Sequence, residues 1–333
     1  MKNVERFRNV LNFKPVDRLP EIEWAVWWDL TIKRWWEEGL PKDLTNPGKI
    51  RDYFGQDSQE QIYIRAITDG APTPAFHGAG ILKNKEEYDR VKPFLYPKTD
   101  FIAPSVETVQ QWAKQQAAGD TVTWVSLQGF FWWPRVLLGI ENHLYAFYDQ
   151  PDLMHEINRD ICDFNIWAIE ELVKIVRPVF MTFFEDLSYN HGPMLSKKSF
   201  DTFLAPYYRE LIPVLEKYDI IPIIDSDGDI TRLIPWFQGV GIRGILPLER
   251  MAGVDVNFLR DEYPDFILLG GFDKTVMKDG EAAMRKEFER LLPAMKKGGF
   301  IPSVDHQTPP GVPLENYYIY LKLLDEYCVK AAQ

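Results

Sequence analysis

The segment GGFIPSVDHQTPPGVPLEN, residues 298–316, decides the fold class that the sequence predicts. It opens with a short apolar run at 300–304, which is typical of a buried strand. The run ends in Asp305 and His306, and two prolines and a glycine at 309–311 then break the chain before a new helix. A strand that presents a carboxylate and an imidazole to a loop is typical of how α/β enzymes build a site.

A second segment repeats this arrangement. Residues 220–229, IIPIIDSDGD, read as another buried strand, which ends in Asp225 and Asp227. Two carboxylates one residue apart, joined by the imidazole of His306, supply the oxygen and nitrogen donors of a metal site. We therefore predict metal ligands at Asp225, Asp227 and His306, with Glu185 from a neighbouring strand end as a further ligand. Glu185, Asp225 and His306 are also the predicted catalytic residues.

Apolar strands alternate with amphipathic helices from about residue 120 onward, which is typical of a parallel sheet covered by helices. With residues 21–24 and a strand near Ile62, the pattern gives about eight strands, so we predict the α/β class and a (β/α)8 TIM barrel. A doubly wound sheet is the alternative, but no glycine-rich phosphate loop follows a strand. The six regular strand candidates are 122–127, 179–184, 220–224, 244–248, 266–269 and 300–304.

The barrel is predicted to be one domain over residues 1–333. Residues 1–115 form an N-terminal extension with the first strands, and residues 116–333 form the regular part of the barrel. The chain has 333 residues and 46% hydrophobic content, which is enough for a large core. Its net charge of −11 and the lack of a basic stripe argue against a nucleic-acid partner.

The remaining sequence features indicate a cytoplasmic protein. No run of about 18 apolar residues predicts a membrane span, and the first residues lack the apolar centre of a signal peptide. The two cysteines, Cys162 and Cys328, both fall in helical patterns, so they indicate structural thiols and no disulfide framework.

The predicted strand ends are strongly acidic and carry almost no Lys or Arg. Each acid has a local alternative, because Asp186 and Asp273 can cap helices and Asp225 or Asp227 can bond within the loop before Gly228. Buried like charges are costly unless a cation or protons accompany them, so the convergence favours a site. The polar residues at these ends are Ser126, Gln128, Glu185, Asp186, Asp225, Asp227, Glu249, Asp273, Asp305 and His306.

Aromatic residues follow two of the predicted strands and are expected to line a substrate pocket. Trp24 follows the first strand, and Trp132 follows the strand that ends near Gln128. Core packing is the alternative role for these rings. The predicted substrate-pocket residues are Trp24, Gln128, Trp132, His191 and Asp305.

The sequence resembles the uroporphyrinogen decarboxylase superfamily, whose other main branch is the corrinoid-linked cobalamin methyltransferases. The resemblance runs nearly end to end and implies an (α/β)8 barrel with an N-terminal extension. It is carried by the order and spacing of several segments, none of them decisive alone. These are RFRNVLNFKPVDRLP at 6–20, GFFWWPRVLLGIEN at 129–142, EDLSYNHGPMLS at 185–196, GGFD at 270–273 and the segment at 298–316.

The chain departs from both branches at the positions that carry their chemistry. The thiol-activating methyltransferases have His-x-Cys where this chain has Asp225-Ser226-Asp227, and their later Cys falls on His306. The true decarboxylases have an Arg-rich segment near the N-terminus, whereas residues 21–28 read EIEWAVWW. A porphyrinogen with many carboxylates would therefore meet an acidic rim.

The resemblance implies a corrinoid-linked methyltransferase that takes a methyl group from a small methylated donor, such as a methoxy-aromatic compound. Zinc is the implied metal, and the corrinoid would be carried by a partner protein. A homodimer is also expected. Two alternatives stay open, namely a cofactor-free decarboxylase that uses Asp225 as its acid, and a non-catalytic barrel that binds a small molecule.

Overall fold

Seven parallel strands form the centre of the computed structural model, which describes residues 1–332. The strands, numbered along the chain, are β1 Gln59–Ile64, β2 Ile102–Ala103, β3 Val122–Gln128, β4 Phe180–Phe184, β5 Ser188–Tyr189, β6 Gly192–Pro193, β7 Ile221–Asp225, β8 Gly244–Leu246, β9 Ile267–Phe272 and β10 Phe300–Val304. The sheet order is β10-β9-β8-β7-β4-β3-β1, with neighbours parallel, and β2 pairs antiparallel with β1. Strands β5 and β6 form a separate hairpin.

The predicted barrel is confirmed in this parallel sheet. Seven of the eight predicted strands occur where the sequence indicated, within a few residues at each end. Buried apolar side chains from Phe7 to Ala331 form one continuous core, so the N-terminal residues pack with the rest of the barrel. No helix among residues 1–332 is both long and apolar enough to cross a membrane.

Residues 21–24, predicted as a strand, lie instead as an irregular segment between β10 and β1. The indole N–H of Trp24 donates to the carbonyl of Val304 in β10 at 2.9 Å. On the other side, the Gln59 carboxamide in β1 donates to the carbonyl of Glu23 at 2.8 Å. Side chains thus replace the backbone ladder at this position, and they join the two outer parallel strands of the sheet.

The junction of residues 21–24 with β10 and β1 forms a seam, and the buried side chain of Glu23 lies at its centre. Its carboxyl group accepts hydrogen bonds from the Ser303 hydroxyl at 3.0 Å and the Tyr317 hydroxyl at 3.4 Å. Burial raises the pKa of Glu23 to about 8, because a charged carboxylate is poorly solvated there. The seam is therefore held by a carboxyl group that is neutral at pH 7.

The helices cover the outside of the sheet, and several start at side-chain caps. Ser105, Ser196 and Asp255 each accept a backbone N–H bond at a helix start. Asp273 likewise caps the short 3-10 helix Lys274–Asp279, which is the local role considered for it above. The other 3-10 helices are Lys92–Phe94 and Arg250–Ala252. The α-helices are α1 Asn3–Leu11, α2 Asp29–Glu37, α3 Pro47–Tyr53, α4 Lys85–Val91, α5 Val106–Ala118, α6 Trp132–Leu138, α7 Ile140–Asp149, α8 Pro151–Leu172, α9 Lys197–Phe203, α10 Ala205–Lys217, α11 Ile234–Gln238, α12 Val256–Glu262, α13 Glu281–Lys296 and α14 Leu314–Ala331.

A Glu23→Gln substitution is predicted to remove one part of the pH dependence of stability. The folded pKa of about 8 exceeds the unfolded value of about 4.3. The stability contributed by the neutral carboxyl group is therefore fully present below the unfolded pKa and is lost as the pH rises to the folded pKa. Glutamine keeps a neutral hydrogen-bonding group, so the stability of the variant relative to the unsubstituted protein should grow across this range.

Urea unfolding at a series of pH values measures this difference. The exposed Glu216→Gln substitution in helix α10 is the matched control, since it makes the same chemical change on the surface. A difference between Glu23→Gln and the unsubstituted protein that stays constant from pH 4 to pH 8 would contradict the neutral seam.

Candidate functional site

A cavity of about 400 Å³ opens at the carboxyl ends of the strands. Five of the nine predicted site residues line it, namely Trp24, Trp132, Asp225, Asp227 and His306. Catalytic residues of barrel enzymes lie at this end of the strands, so the cavity is the candidate site. The full lining is Trp24, Ala25, Val26, Gln61, Tyr63, Trp124, Trp132, Phe184, Asp186, Asp225, Asp227, His306 and Gln307.

The two-residue period of a strand explains which side chains reach the cavity. Successive side chains of a strand point to opposite faces. Phe184 and Asp186 both line the cavity, and Glu185 between them does not. Asp225 and Asp227 follow the same rule at the end of the adjacent strand. The parallel register of β4 and β7 pairs Phe184 with Asp225, which brings the two sets of acids together.

Asp186, Asp225 and Asp227 form the acidic cluster of the cavity. Burial raises the pKa of Asp225 well above its usual range, and repulsion from Asp186 and Asp227 raises it further. Burial, with repulsion from Asp186 and Glu249, raises the pKa of Asp227 to about 7. Burial also raises the pKa of Asp186. The backbone N–H of Asp227, which donates to Asp186 Oδ1 at 3.2 Å, opposes this rise. The cluster therefore holds protons near neutral pH.

His306 stands beside this cluster. Its Nε2 atom lies 3.7 Å from Oδ2 of Asp227, and its ring meets the ring of Trp24 edge to face with centroids 6.0 Å apart. Burial and the nearby Lys274 ammonium lower the pKa of His306. The imidazole is therefore neutral at pH 7, and it can accept or pass on a proton beside Asp227.

Lys274 supplies the positive charge beneath the cavity. Its Nζ atom lies 3.2 Å from Oδ1 of Asp305 and 3.6 Å from Oε1 of Glu249. This ammonium group lowers the pKa of Asp227 and of His306. Sequence reasoning missed Lys274, because a lysine after the strand-end Asp273 has no distinctive pattern. It also passed over Asp186, although the two-residue period from Phe184 would have selected it over Glu185.

Glu185 was predicted as a ligand and catalytic residue, and its placement requires a correction. Its side chain is fully buried and does not line the cavity. Its carboxylate accepts backbone N–H bonds from Phe130 at 2.8 Å, Phe131 at 2.7 Å and Trp132 at 3.1 Å. The Tyr208 hydroxyl donates to it as well. These four donors occupy the carboxylate, so Glu185 anchors the start of helix α6 and is not free to bind a metal ion or substrate.

Three predicted pocket residues also lie outside the cavity. Asp305 is fully buried and accepts from the backbone N–H of Arg250 at 3.0 Å and from Lys274, which ties three strand-end loops together. His191 is exposed in the hairpin of β5 and β6, where its ring meets Tyr189 edge to face. Gln128 ends β3 without joining the lining, because its side chain does not reach the cavity.

The residues of the cavity do not form a closed metal site. Within residues 1–332, no three His, Cys, Asp or Glu side chains are arranged to hold one ion. Asp227 and His306 offer two donors at 3.7 Å, but Glu185 is occupied elsewhere. Zinc thus stays a prediction from the sequence.

The comparisons with known proteins now identify the class of the chain. The family model described as uroporphyrinogen decarboxylase (URO-D) matches residues 68–327. This match covers well over half of the chain, and the protein therefore belongs to the URO-D family. The family resemblance predicted from the sequence is confirmed.

Two particular relatives show how far this family likeness extends. A uroporphyrinogen decarboxylase from Thermosynechococcus vestitus is 23% identical over 175 residues, which is 51% of this chain and 48% of that protein. The match thus spans about half the length of the curated relative. A methyltransferase from Methanosarcina mazei has a TM-score of 0.64 at 14% identity and covers 98% of this chain and 99% of that chain. At this level of identity the structural likeness shows the fold alone.

A Glu185→Gln substitution is predicted to destabilise the fold rather than to disable the cavity chemistry alone. It places a carboxamide N–H group against backbone N–H donors that now share a carboxylate. Hydrogen bonds to a charged group contribute about 1.5–3 kcal/mol each, so the free energy of unfolding should fall by about that amount or more. Urea unfolding measures the change, and His306→Ala is the comparison because His306 is half-buried and makes no hydrogen bond within residues 1–332. Equal stability of Glu185→Gln and the unsubstituted protein would contradict the anchoring role.

Proposed function

We propose that this URO-D family member is a methyltransferase that moves a methyl group from a small methylated donor to a corrinoid on a partner protein. The observation that carries the proposal is the cavity itself, in which three aspartates and His306 face aromatic walls at the strand ends. The reduced corrinoid would supply a strong nucleophile for the methyl group. The protein would hold the donor, exclude water and control the charge on the atom that loses the methyl group.

The acidic cluster is suited to that last task. A methyl group leaves an oxygen atom more readily when the oxygen receives a proton, and Asp225 and Asp227 hold protons near neutral pH. A leaving atom that already carries a positive charge needs no proton, and the same acids would then act as its counter-ions. His306 would return a proton to Asp227 between turnovers as a relay: one ring nitrogen takes up a proton from solvent and Nε2, 3.7 Å from Asp227 Oδ2, releases one.

Decarboxylation is the second candidate, and one observation favours it. Asp225 is a buried acid whose raised pKa suits proton donation to a carbanion. The absence of any Lys or Arg from the cavity lining weighs against it, because a substrate carboxylate would lie among acids without a counter-ion. Methyl transfer therefore agrees better with the charge of the cavity.

Methyl transfer should depend on the cavity residues and on a reduced corrinoid protein. The assay follows loss of the methyl group from a panel of methoxy-aromatic and methylammonium compounds, with carbon dioxide release from small carboxylic acids measured in parallel. His306→Ala and Asp227→Asn should each lower kcat/KM by roughly a hundred- to a thousandfold, as removal of a charge-stabilising group typically does. The exposed His77→Ala substitution is the matched control and should leave the rate unchanged.

The two candidate reactions give opposite results in this assay. Turnover that needs no corrinoid and releases carbon dioxide would overturn methyl transfer and establish the decarboxylase. Loss of neither a methyl group nor carbon dioxide over the whole panel would leave a barrel that binds a small molecule without converting it.

A further inference from the structure

We infer that the cavity binds an organic cation and that the methyl donor is a methylated ammonium compound. The first statement concerns binding and stands on the cavity alone. The second rests on the proposed function, because it names the class of donor for that reaction.

The walls of the cavity are aromatic on several sides. Trp24, Trp124, Trp132, Tyr63 and Phe184 all line it. The rings of Tyr63 and Phe184 lie nearly parallel, with an interplanar angle of 12° and centroids 6.4 Å apart. The faces of aromatic rings attract cations, and aromatic cages recognise quaternary ammonium groups. The walls thus supply the surface that an alkylated ammonium group prefers.

The lining of the cavity carries acids and no cationic side chain. Three of its thirteen lining residues are aspartates, and none is Lys or Arg. Two basic side chains that act on the acids from outside the lining, Lys274 and Arg135, are engaged by other groups. Lys274 lies between Asp305 and Glu249, while the Arg135 guanidinium lies over the Trp132 ring at 5.0 Å and donates to the backbone carbonyl of Asp186. A cation from outside would therefore meet acids that have no Lys or Arg side chain beside them in the cavity lining.

Burial of the acids strengthens their attraction for a cationic ligand. Without a ligand, burial and the crowding of three carboxyl groups in one cavity favour the protonated forms of Asp225 and Asp227. An organic cation lets these carboxyl groups ionise in a low-dielectric site, where attraction between opposite charges is strong. A neutral molecule of the same shape would make the same ring contacts and no such attraction.

The size of the cavity distinguishes an organic cation from a bare metal ion. A volume of about 400 Å³ falls within the range of small-molecule pockets, and it is far larger than one ion needs. No three potential ligands converge on a point within residues 1–332. The indole N–H of Trp124, which is 4% exposed and lines the cavity, has no hydrogen-bond partner among the described residues.

The reaction with such a donor balances without proton transfer. The bond between the nitrogen and the methyl carbon breaks, and its electron pair stays on the nitrogen. The methyl group passes to the nucleophile of the partner protein, and the nitrogen leaves as a neutral amine. The aspartates lose their counter-ion as the charge disappears, which promotes release of the amine.

The test compares two probes that have the same shape and differ by one charge. Choline and its carbon isostere 3,3-dimethylbutan-1-ol are titrated separately into the purified full chain, after dialysis against a chelator, and binding is followed by calorimetry. Choline should bind at least about tenfold more tightly, because the neutral isostere lacks the attraction of the ammonium group to the aromatic rings and to the aspartates. Equal affinity, tighter binding of the isostere or no choline binding would each overturn the inference.

Asp186→Asn tests the origin of the preference. Asparagine keeps the acceptor for the backbone N–H of Asp227 and tolerates the positive φ of 39° at this position. The variant should weaken choline binding by roughly fivefold or more and leave the isostere unchanged, while Glu216→Gln in helix α10, which also removes one negative charge, should change neither. If the variant fails to fold, the comparison of the two probes on the unsubstituted protein still decides the matter.

The binding and turnover assays distinguish failure of the cation site from failure of the proposed reaction. Choline binding without corrinoid-dependent demethylation would uphold the cation site and remove the proposed function. Corrinoid-dependent demethylation of a neutral methoxy compound, with no preference for choline, would uphold the proposed function and overturn the cationic donor.

Discussion

Mutual repulsion among three partly buried aspartates is the constraint on which the candidate site depends. Asp186, Asp225 and Asp227 reach one cavity because adjacent parallel strands end in register there. Carboxylates so placed must take up protons or be paired with a cation. Lys274 and Arg135 reduce the repulsion from outside the cavity without entering it. The site can thus either donate protons or hold a positive charge, and both properties would serve the proposed methyl transfer.

The cavity owes its shape to contacts that the chemistry does not use. Glu23 holds the irregular segment between the outer parallel strands, and the next residue, Trp24, forms a wall of the cavity against His306. Glu185 fixes the start of the helix that carries Trp132. Gly129 makes this possible, because a Cβ atom there would lie 2.2 Å from the Glu185 side chain. Fully buried acids therefore position the aromatic walls, while the partly buried acids form the cluster.

Much of this arrangement could be predicted from the sequence, for physical reasons. Continuous apolar runs between amphipathic helices gave seven strands close to their observed positions, since buried parallel strands carry that pattern. Asp225, Asp227 and His306 could be found because they directly follow such runs. Residues 21–24 could not be read correctly, because their partners are side chains of Ser303 and Gln59 that are distant in the sequence. Glu185 was chosen over Asp186 because it lies at the strand end, while Asp186 was considered as a helix cap and the strand period was not applied. Lys274 depends on loop contacts that no local pattern reveals.

Infrared difference spectroscopy tests the central claim most directly, namely that the cavity keeps carboxyl groups protonated at neutral pH. Spectra of the unsubstituted protein and of Asp225→Asn, both free of ligand at pH 7, are subtracted from one another. Burial and repulsion hold the pKa of Asp225 far above its usual range, so the difference should contain the carbonyl stretch of a protonated carboxylic acid. A difference that contains only the bands of an ionised carboxylate would contradict the account, because the acids would then carry their charges without needing a proton or a cation.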